Sequence, residues 1–497
     1  MAIFQVPIRP ILHVPFFFTL FILFFFSGTG MSQILPKDGS RLNYRIIGFS
    51  VPSKEQVTAY KIEIAIGNII SDEEFQKNII VTQKIAGNRI ITEVPSFGAQ
   101  YTWRATGFSG NEIKTKSPFY HFSTGMIPEV DTALNRFRVI SKAKQYKDAY
   151  VFLETNKALY DMRGRPVWYL PGVAQTPVDM KLSSSSTITF LAANQPVEVD
   201  YNGRVLWQHK IDTNAATLES YHHEFTRMNN GHYMVFGSKQ EYWKLPFAKD
   251  SIAQNAADSN RFYQAILFAT LMEYDEKERV VWSWYSSKYV KESDLVRCLT
   301  PDGRFDLDLH GNSFYFDAIN GDIYISFRVI SRVIKIKYPE GNVLNTYGVN
   351  YSPGRSLFMD NDLFCNQHSV RLSKKGLLYL FNNNLCKAPF NPKIIMMQEP
   401  AQKQGNLKKI WEYNCTVENS GINKKGKLQF KRGGNVVELP DESLFVSMCD
   451  PYSKVFIVNI INIRNFFKKG KISLGKPDFT ERDLGFAGKY LFGGQVV

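Results

Sequence analysis

Several common functional motifs are missing from the 497-residue sequence. Its five cysteines form no Cys-x-x-Cys pair, which excludes a zinc ribbon and a thioredoxin-type redox motif. No His-Glu-x-x-His motif, no Gly-x-x-x-x-Gly-Lys-Ser/Thr phosphate loop and no Gly-x-Ser-x-Gly elbow occurs. The commonest zinc peptidases, P-loop nucleotide hydrolases and α/β-hydrolases are therefore excluded.

Long helical periods and dense basic runs are also missing. Lysine and arginine (60) outnumber aspartate and glutamate (46), which gives a net charge of +14 and favours anionic ligands. The basic residues are scattered, so we expect no nucleic-acid partner. Short apolar–polar alternation dominates instead, which predicts an all-β fold and disfavours an α/β fold.

One apolar run lies near the start of the chain. The stretch "FFFTLFILFFF" (16–26) follows Arg9 and precedes the small residues "SGTG" (27–30). It is too short to span a bilayer, which needs about 20 residues, but it fits the apolar region of a secretory signal. We predict a signal peptide over 1–30 and an exported protein with no stable membrane span after processing. An uncleaved anchor is the alternative.

The rest of the chain divides into two regions. Residues 31–125 contain short alternating strands with frequent turns, which predicts a small immunoglobulin- or fibronectin-like β-sandwich. From 130 to 497 a unit recurs loosely as "DMRGRPVW" (161–168), "DYNGRVLW" (200–207) and "DEKERVVW" (275–282), with hairpins between the copies. Such recurring β units predict a β-propeller; six blades fit the length best, and seven is the alternative.

Histidines occupy related places in three of these repeats. His223 lies eight residues before Gly231, and His368 lies eight residues before Gly376. His310 precedes the corresponding strand of a third repeat. Because the innermost strands of a propeller line its central channel, the spacing predicts that the three histidines converge at one mouth of that channel.

An arginine and an asparagine join the histidines. A hairpin turn centred on Asn320-Gly321 would place Arg328 about opposite Ser313, near Asn312 and His310. The planar guanidinium suits an oxyanion. A solvated loop histidine and a surface arginine are the alternatives for the single residues, and a three-histidine zinc site is the alternative for the set. No carboxylate is evident as support for zinc, so we expect no metal.

A disulfide is predicted from the hairpin that carries His368. A turn at Lys374 to Gly376 makes paired residue numbers add up to about 750, which puts Cys386 within one residue of the position facing Cys365. Export of the protein would permit such a bond.

Three stretches together resemble the bacterial arylsulfate sulfotransferases, which do not use the sulfate donor PAPS. They are "HHEFTRMNNGHYMVF", "DLHGNSFYF" followed by "SFR", and "NQHSVRLSKKGLLYLFNNN", and the resemblance covers about 130 to 460. It implies a six-bladed propeller behind a β-sandwich, in the bacterial periplasm. It also implies transfer of a sulfuryl group from a phenolic sulfate ester to a phenol through a transiently sulfated histidine.

The resemblance assigns roles to the candidate residues. It makes His368 the nucleophile, and it makes His310 and His223 the acid/base and sulfuryl-contacting histidines, with His222 as a competitor of His223. It implies that Asn312 and Arg328 bind sulfuryl oxygens. For a further hydroxyl group expected late in the chain, "LFVSMCD" leaves Ser447 and Cys449 as candidates.

The implied partners are small molecules, a phenolic sulfate donor and a phenol acceptor, with no cofactor. The sequence does not decide between a monomer and a homodimer. Two other functions stay open: a non-catalytic propeller that binds sulfated or acidic glycans, and a quinoprotein-like dehydrogenase, whose blades use similar Gly-x-x-Trp turns.

Overall fold

A computed structural model describes most of the chain. The described residues are 33–126, 137–139, 144–173, 176–183, 185–210, 219–244, 263–291, 294, 308–348, 363–385, 391–401, 406–415, 433–448, 454–460 and 482–486. The predicted signal peptide (1–30), Cys386 and Cys449 lie outside these ranges, so the signal peptide stays a prediction. Within them, no helix is long and apolar enough to cross a membrane.

The N-terminal region is a two-sheet sandwich. Five strands lie in the order β1-β8-β6-β3-β4 with β7 beside β6, and β2 pairs with β5 in a second sheet. Both sheets contribute to one core, in which Phe49 packs edge-on against Trp103 and Phe122. The elements are β1 Ser40–Leu42, β2 Ile46–Ser50, β3 Ala59–Ile66, α1 Asp72–Lys77, β4 Ile79–Ile85, β5 Arg89–Glu93, β6 Gln100–Ser109, β7 Glu112–Lys116 and β8 Tyr120–Thr124.

The remaining described strands form six successive antiparallel sheets. The first three contain β10 Tyr150–Leu153, β11 Ala158–Asp161 and β12 Pro166–Tyr169; β13 Val178–Leu182, β14 Ile188–Ala192, β15 Gln195–Val199 and β16 Val205–Gln208; and β17 Glu219–Arg227, β18 Tyr233–Lys244, β19 Tyr263–Tyr274 and β20 Val280–Tyr285. The last three contain β21 Gly311–Asp317, β22 Asp322–Phe327, β23 Arg332–Lys337 and β24 Val343–Gly348; β25 His368–Leu372, β26 Leu378–Asn382, β27 Lys393–Gln398 and β28 Lys408–Asn414; and β29 Asn435–Glu438, β30 Leu444–Met448, β31 Lys454–Val458 and β32 Arg482–Phe486 with β9 Phe137–Val139.

Hydrophobic cores between neighbouring sheets close these six sheets into a ring. Each core combines apolar side chains of one sheet with those of the next, and one of them joins the first sheet to the last, where Val151 and Tyr160 pack with Phe445 and Val455. The strand β9 also pairs with β32, so the start and end of the region share a sheet. The predicted all-β propeller fold is confirmed, and the described sheets are as many as the predicted blades.

The recurring Asp-x-x-Gly unit is a turn between the last strands of a sheet. In all three copies the aspartate Oδ1 accepts hydrogen bonds of 2.9 to 3.0 Å from the backbone N–H groups two and four residues later. These side chains are Asp161, Asp200 and Asp275. The third copy has Glu278 in place of glycine with a φ of 61°, a left-handed conformation that glycine adopts more easily.

A series of side-chain hydrogen bonds links consecutive sheets around the channel, through their first strands or, in the first sheet, through Glu154 directly after β10. In each link, a buried side-chain oxygen of one sheet accepts a hydrogen bond from a backbone N–H of the next sheet. In all but the last link, the residue directly before that N–H supplies the accepting oxygen of the following link. The links are Glu154 to Met180 (2.9 Å), Asp179 to Phe225 (2.8 Å), Glu224 to Phe314 (2.6 Å), Ser313 to Val370 (3.0 Å) and Ser369 to Val436 (3.2 Å). We call these five links the inter-blade chain.

The inter-blade chain coincides with irregular backbone. The pairing register shifts at the first strand of four sheets, between Val178 and Lys181 in one and between Tyr221 and Phe225 in the next, with similar shifts in β21 and β25. Asp179 and Ser369 within these bulges have φ values of 58° and 56°. A bulge turns side chains out of the regular alternation, so each first strand can present neighbouring residues both to the next sheet and to the channel.

The sandwich rests on the first two sheets of the propeller. Asn43 Nδ2 donates to the carbonyl oxygens of Tyr169 (2.8 Å) and Tyr201 (2.7 Å), and Arg45 Nε donates to that of Pro166 (2.9 Å). The predicted domain limits, 31–125 and 130–497, stay a prediction.

The inter-blade chain can be tested at Asp179, which is 3% exposed. Asp179→Ala would leave the Phe225 N–H buried without its acceptor, and we expect a loss of about 2 kcal/mol in unfolding free energy. Asp179→Asn keeps an acceptor oxygen and should lose less than half as much. Urea unfolding measures both. Equal stability of Asp179→Ala and the parent would show that the link contributes nothing.

Candidate active site

Three consecutive first strands supply the candidate residues. The residue directly before the accepting side chain of the inter-blade chain is His223 in β17, Asn312 in β21 and His368 in β25. His223 and His368 thus hold the same place in two sheets, as their spacing from the turn glycines predicts. His310 lies two residues before Asn312, at the entrance to the middle strand.

His368 is buried and has a defined tautomer. Its Nδ1 lies 2.7 Å from Asn383 Oδ1, and Asn383 Nδ2 donates to the carbonyl oxygen of Gly433 at 2.8 Å. That second bond orients the amide so that its oxygen faces the imidazole. Because an amide oxygen only accepts, Nδ1 of His368 carries the hydrogen and Nε2 keeps its lone pair.

Electrostatics keep this imidazole neutral. Burial lowers the pKa of His368 to about 3, and the charges of Arg328 and His310 act in the same direction. The hydrogen bonds to Asn383 and to the backbone of Asn366 oppose the shift without cancelling it. A buried imidazole that is neutral at neutral pH keeps a nitrogen lone pair, which a nucleophilic role would require.

His310 forms a pair with a carboxylate. Its Nδ1 lies 3.0 Å from Asp308 Oδ2, and its backbone N–H donates to Asp308 Oδ1 at 2.7 Å. Burial raises the pKa of Asp308, but the hydrogen bonds and charge of His310 outweigh burial and hold that pKa below its usual value. The carboxylate thus orients the ring, which is 31% exposed.

His223 lies next to both His310 and His222. Its ring is 5.0 Å from that of His310, with the planes nearly perpendicular, and its Nδ1 is 2.7 Å from Nδ1 of His222. Burial lowers the pKa of His223 well below its usual value, and the neighbouring His222, His310, His368 and Arg328 lower it further. Its φ of 65° and the 51° of His310 are left-handed. Such strained backbone recurs at functional sites.

The position of Arg328 corrects the predicted hairpin register. Ser313 pairs with Ser326 and not with Arg328, whose backbone N–H donates to the carbonyl oxygen of His310 at 2.9 Å. The turn lies between Asp317 and Asp322, so its centre is earlier in the chain than predicted. Farther from the turn, a bulge between Gly311 and Ser313 shifts the pairing again. Both displacements bring Arg328 level with His310, and its charge lowers the pKa values of His223 and His368.

Asn312 joins two of the hairpins. Its Nδ2 donates to the carbonyl oxygen of Gln367, the residue before His368, at 2.7 Å. Gln367 Nε2 in turn contacts oxygen atoms of Ser326, Phe327 and Arg332 at 3.0 to 3.1 Å. Asn312 therefore links β21 to the residue directly before β25.

The late hydroxyl candidates have different outcomes. Ser447 is buried in β30, the second strand of its sheet, where it pairs with Asn435. Cys449 lies outside the described residues. In this sheet the place equivalent to His223, Asn312 and His368 is taken by Gly434, where a Cβ would lie 2.3 Å from the ring of Phe381. No side chain fits at Gly434, and this geometry supports no role in the candidate site for Ser447 or Cys449.

The hairpin of His368 has the predicted register near its turn, where Arg371 pairs with Tyr379 and Leu372 with Leu378, but a bulge shifts the pairing by one residue at His368, which pairs with Phe381. Cys365 is disulfide-bonded. Because Cys386 lies outside the described residues, the pairing of these two cysteines stays a prediction. In the described ranges, no three His, Cys, Asp or Glu side chains are grouped as they would be around a metal ion.

Sequence reasoning missed three supporting residues. Asp308 could have been found from its Asp-x-His spacing in "DLDLHGN". Asn383 and Ser238 give no such signal, because they reach the histidines from neighbouring strands or from the end of one.

Comparison with known families decides which family the chain represents. The family model described as "Arylsulfotransferase (ASST)" matches residues 132–418, more than half of the chain. The chain belongs to the arylsulfotransferase family. The matched range includes every histidine, arginine and asparagine of the candidate site, and family membership indicates a sulfotransferase enzyme with arylsulfotransferase function in general. No curated relative matches the chain.

Solved structures resemble the chain only distantly. A Bacteroides caccae protein of unknown function is 11% identical, with a TM-score of 0.37 over 63% of this chain and 89% of its own. A periplasmic gluconolactonase from Pseudomonas aeruginosa is 12% identical, with a TM-score of 0.33 over 88% of this chain and 99% of its own. A putative 6-phosphogluconolactonase from Bacteroides fragilis is 11% identical, with a TM-score of 0.34 over 90% and 99%. None of them identifies the activity.

The lowered pKa of His368 predicts a pH dependence of stability. In the unfolded chain a histidine binds a proton below about pH 6.5, whereas folded His368 binds one only near pH 3. The unfolded state therefore binds more protons between these values, and stability is lost as the pH falls through this window. From pH 7 to pH 5 the parent should lose about 2 kcal/mol more than His368→Asn. Urea unfolding at both pH values measures this; parallel losses would contradict it.

Proposed function

We propose that this protein is a PAPS-independent arylsulfate sulfotransferase that carries the sulfuryl group on His368. The observation that supports this most is the state of that imidazole: Asn383 holds its hydrogen on Nδ1, so that the lone pair is on Nε2, and burial keeps the ring neutral, with the charge of Arg328 acting in the same direction. The substrates are a phenolic sulfate ester and a phenol, with no cofactor. The apolar segment 16–26 supports export to the bacterial periplasm.

In the first half-reaction, His368 Nε2 attacks sulfur. An N–S bond forms while the bond between sulfur and the phenolic oxygen breaks, and the electron pair leaves on that oxygen. A neutral imidazole needs no prior deprotonation for this attack, whereas a serine would need a base. A phenol has a pKa near 10, so the leaving oxygen needs only modest protonation.

His310 is the group that supplies that proton. Asp308 orients the ring through Nδ1, which leaves Nε2 to give the proton to the leaving phenolate and to take one from the incoming phenol. In the second half-reaction, the acceptor oxygen attacks the sulfohistidine, the N–S bond breaks, and His368 regains its lone pair. The kinetics are therefore ping-pong.

Arg328, His223 and Asn312 are proposed to bind the sulfuryl oxygens. Sulfuryl transfer, like phosphoryl transfer, spreads charge over three equatorial oxygens, so fixed donors contribute much of the catalysis. The charge of Arg328 lowers the pKa values of both His223 and His368. The backbone bond between Arg328 and His310 and the Asn312 bond to Gln367 support fixed positions for these donors.

A chromogenic assay tests the function. Purified protein should release 4-nitrophenol from 4-nitrophenyl sulfate continuously only when a second phenol is present, and the sulfated second phenol should accumulate in equal amount. Steady release without an acceptor would indicate a sulfatase. No release with any phenol would favour the glycan-binding alternative, and a visible redox chromophore would favour the dehydrogenase.

Replacing the nucleophile is the sharpest test of the mechanism. His368→Asn keeps similar size and should fold, but turnover should fall at least about 10³-fold. Without an acceptor, the parent should release one 4-nitrophenol per chain and carry a sulfuryl adduct on the peptide that contains His368. His121→Asn in the N-terminal sheet is the control and should behave as the parent. Near-parental transfer by folded His368→Asn would reject His368 and point to His310.

Arg328→Lys tests the guanidinium. An ammonium keeps the charge but cannot offer two parallel N–H groups, so kcat should fall about 10²-fold. Arg204→Lys is the matched control, because Arg204 is 77% exposed on a turn of another sheet. If both lysine variants retain parental kcat, the planar fork of Arg328 does not contact the transferred group.

A further inference from the structure

His222 lies between the candidate site and a serine of the next strand. Its Nδ1 is 2.7 Å from Nδ1 of His223, and its Nε2 is 2.5 Å from Ser238 Oγ. The ring of Phe236 packs edge-on against the ring of His222, with the two ring centroids 5.6 Å apart. Three polar groups are thus in line from Ser238, through His222, to His223.

The hydrogens of this line can be counted. Two lone pairs facing each other at 2.7 Å would repel, and two N–H groups would clash, so the pair of Nδ1 atoms shares one hydrogen. Both rings are neutral, since burial lowers the pKa of His222 to about 4 and that of His223 well below its usual value. The two histidines must therefore be opposite tautomers.

Ser238 decides which tautomer each ring adopts. If His222 carried its hydrogen on Nε2, Ser238 would accept that hydrogen and its own O–H would need another acceptor. Ser238 is 5% exposed, and within the described residues its hydroxyl contacts His222 and no other partner. A buried hydroxyl without an acceptor costs about 1–3 kcal/mol. The favourable arrangement has Ser238 donating to Nε2 and His222 donating from Nδ1.

We propose that Ser238 and His222 form a hydrogen-bond chain with one direction, which holds His223 in the tautomer with its hydrogen on Nε2. Nδ1 of His223 then accepts from His222, and Nε2–H is the donor that His223 offers to a sulfuryl oxygen. His222 is a positioning residue for transfer, and this role rests on the proposed function. The opposite tautomer would present a lone pair to an anionic group.

Nuclear magnetic resonance can test the chain without any activity. The protein contains eight histidines, so ¹⁵N-histidine labelling gives a simple spectrum in which ring nitrogens with and without hydrogen have distinct shifts. His222→Phe and His223→Asn identify the two residues. We expect hydrogen on Nδ1 of His222 and on Nε2 of His223, and a mixture of His223 tautomers in Ser238→Ala. Hydrogen on Nδ1 of His223, or a His223 spectrum unchanged by both Ser238→Ala and His222→Phe, would overturn the proposal.

Kinetics test the consequence for transfer. Ser238→Ala and His222→Phe should lower kcat about tenfold with KM within about twofold, because the oxyanion donor is misdirected and not removed. Ser238→Thr keeps the hydroxyl and should restore both kcat and the His223 spectrum. Parental kcat in Ser238→Ala would reject the positioning role. A correct His223 tautomer in a protein that transfers no sulfuryl group would reject the proposed function and leave the hydrogen-bond chain intact.

Discussion

The inter-blade chain is the constraint on which the rest of this structure depends. Hydrophobic cores hold the sheets together, but apolar packing has no direction and tolerates sliding by part of a residue. A backbone N–H that must reach one particular buried oxygen of the preceding sheet does not tolerate such sliding. From Glu154 to Val436, five such bonds fix the height of one first strand relative to the next. Groups from different blades can therefore meet at a defined distance.

The candidate site uses this register on one side of the channel. Residues directly before the accepting side chains lie level with one another, and three consecutive strands place His223, Asn312 and His368 there. The preceding sheet has Val178 at this level, and the last sheet has Gly434, which admits no side chain. Among the described residues at this level, the polar side chains therefore lie on three neighbouring blades. The backbone next to Gly434 still takes part, because the carbonyl oxygen of Gly433 accepts from Asn383 and orients it.

A buried cluster of histidines beside an arginine has a simple electrostatic consequence. Burial opposes protonation of His222, His223 and His368, and the charge of Arg328 adds to this for His223 and His368, so these three are neutral imidazoles. The surroundings of His310 are different, because its ring is partly exposed and pairs with a carboxylate. In the proposed mechanism the same residue type therefore serves as nucleophile, hydrogen-bond donor and proton carrier, and burial and hydrogen-bond partners distinguish these roles.

Sequence patterns determined the fold class, the turns built on Asp161, Asp200 and Asp275, and the shared position of His223 and His368, because these depend on periodicity and local spacing. Arg328 lies near His310 as predicted, but its predicted pairing opposite Ser313 is wrong, since an earlier turn centre and a bulge that the sequence does not mark displace it. Only the tertiary structure decided the partners of the histidines. Asp308 is local, but Asn383 is oriented from the next sheet, and Ser238 reaches His222 across a hairpin. Tautomers and pKa values follow from such long-range contacts and from burial, which no spacing along the chain encodes.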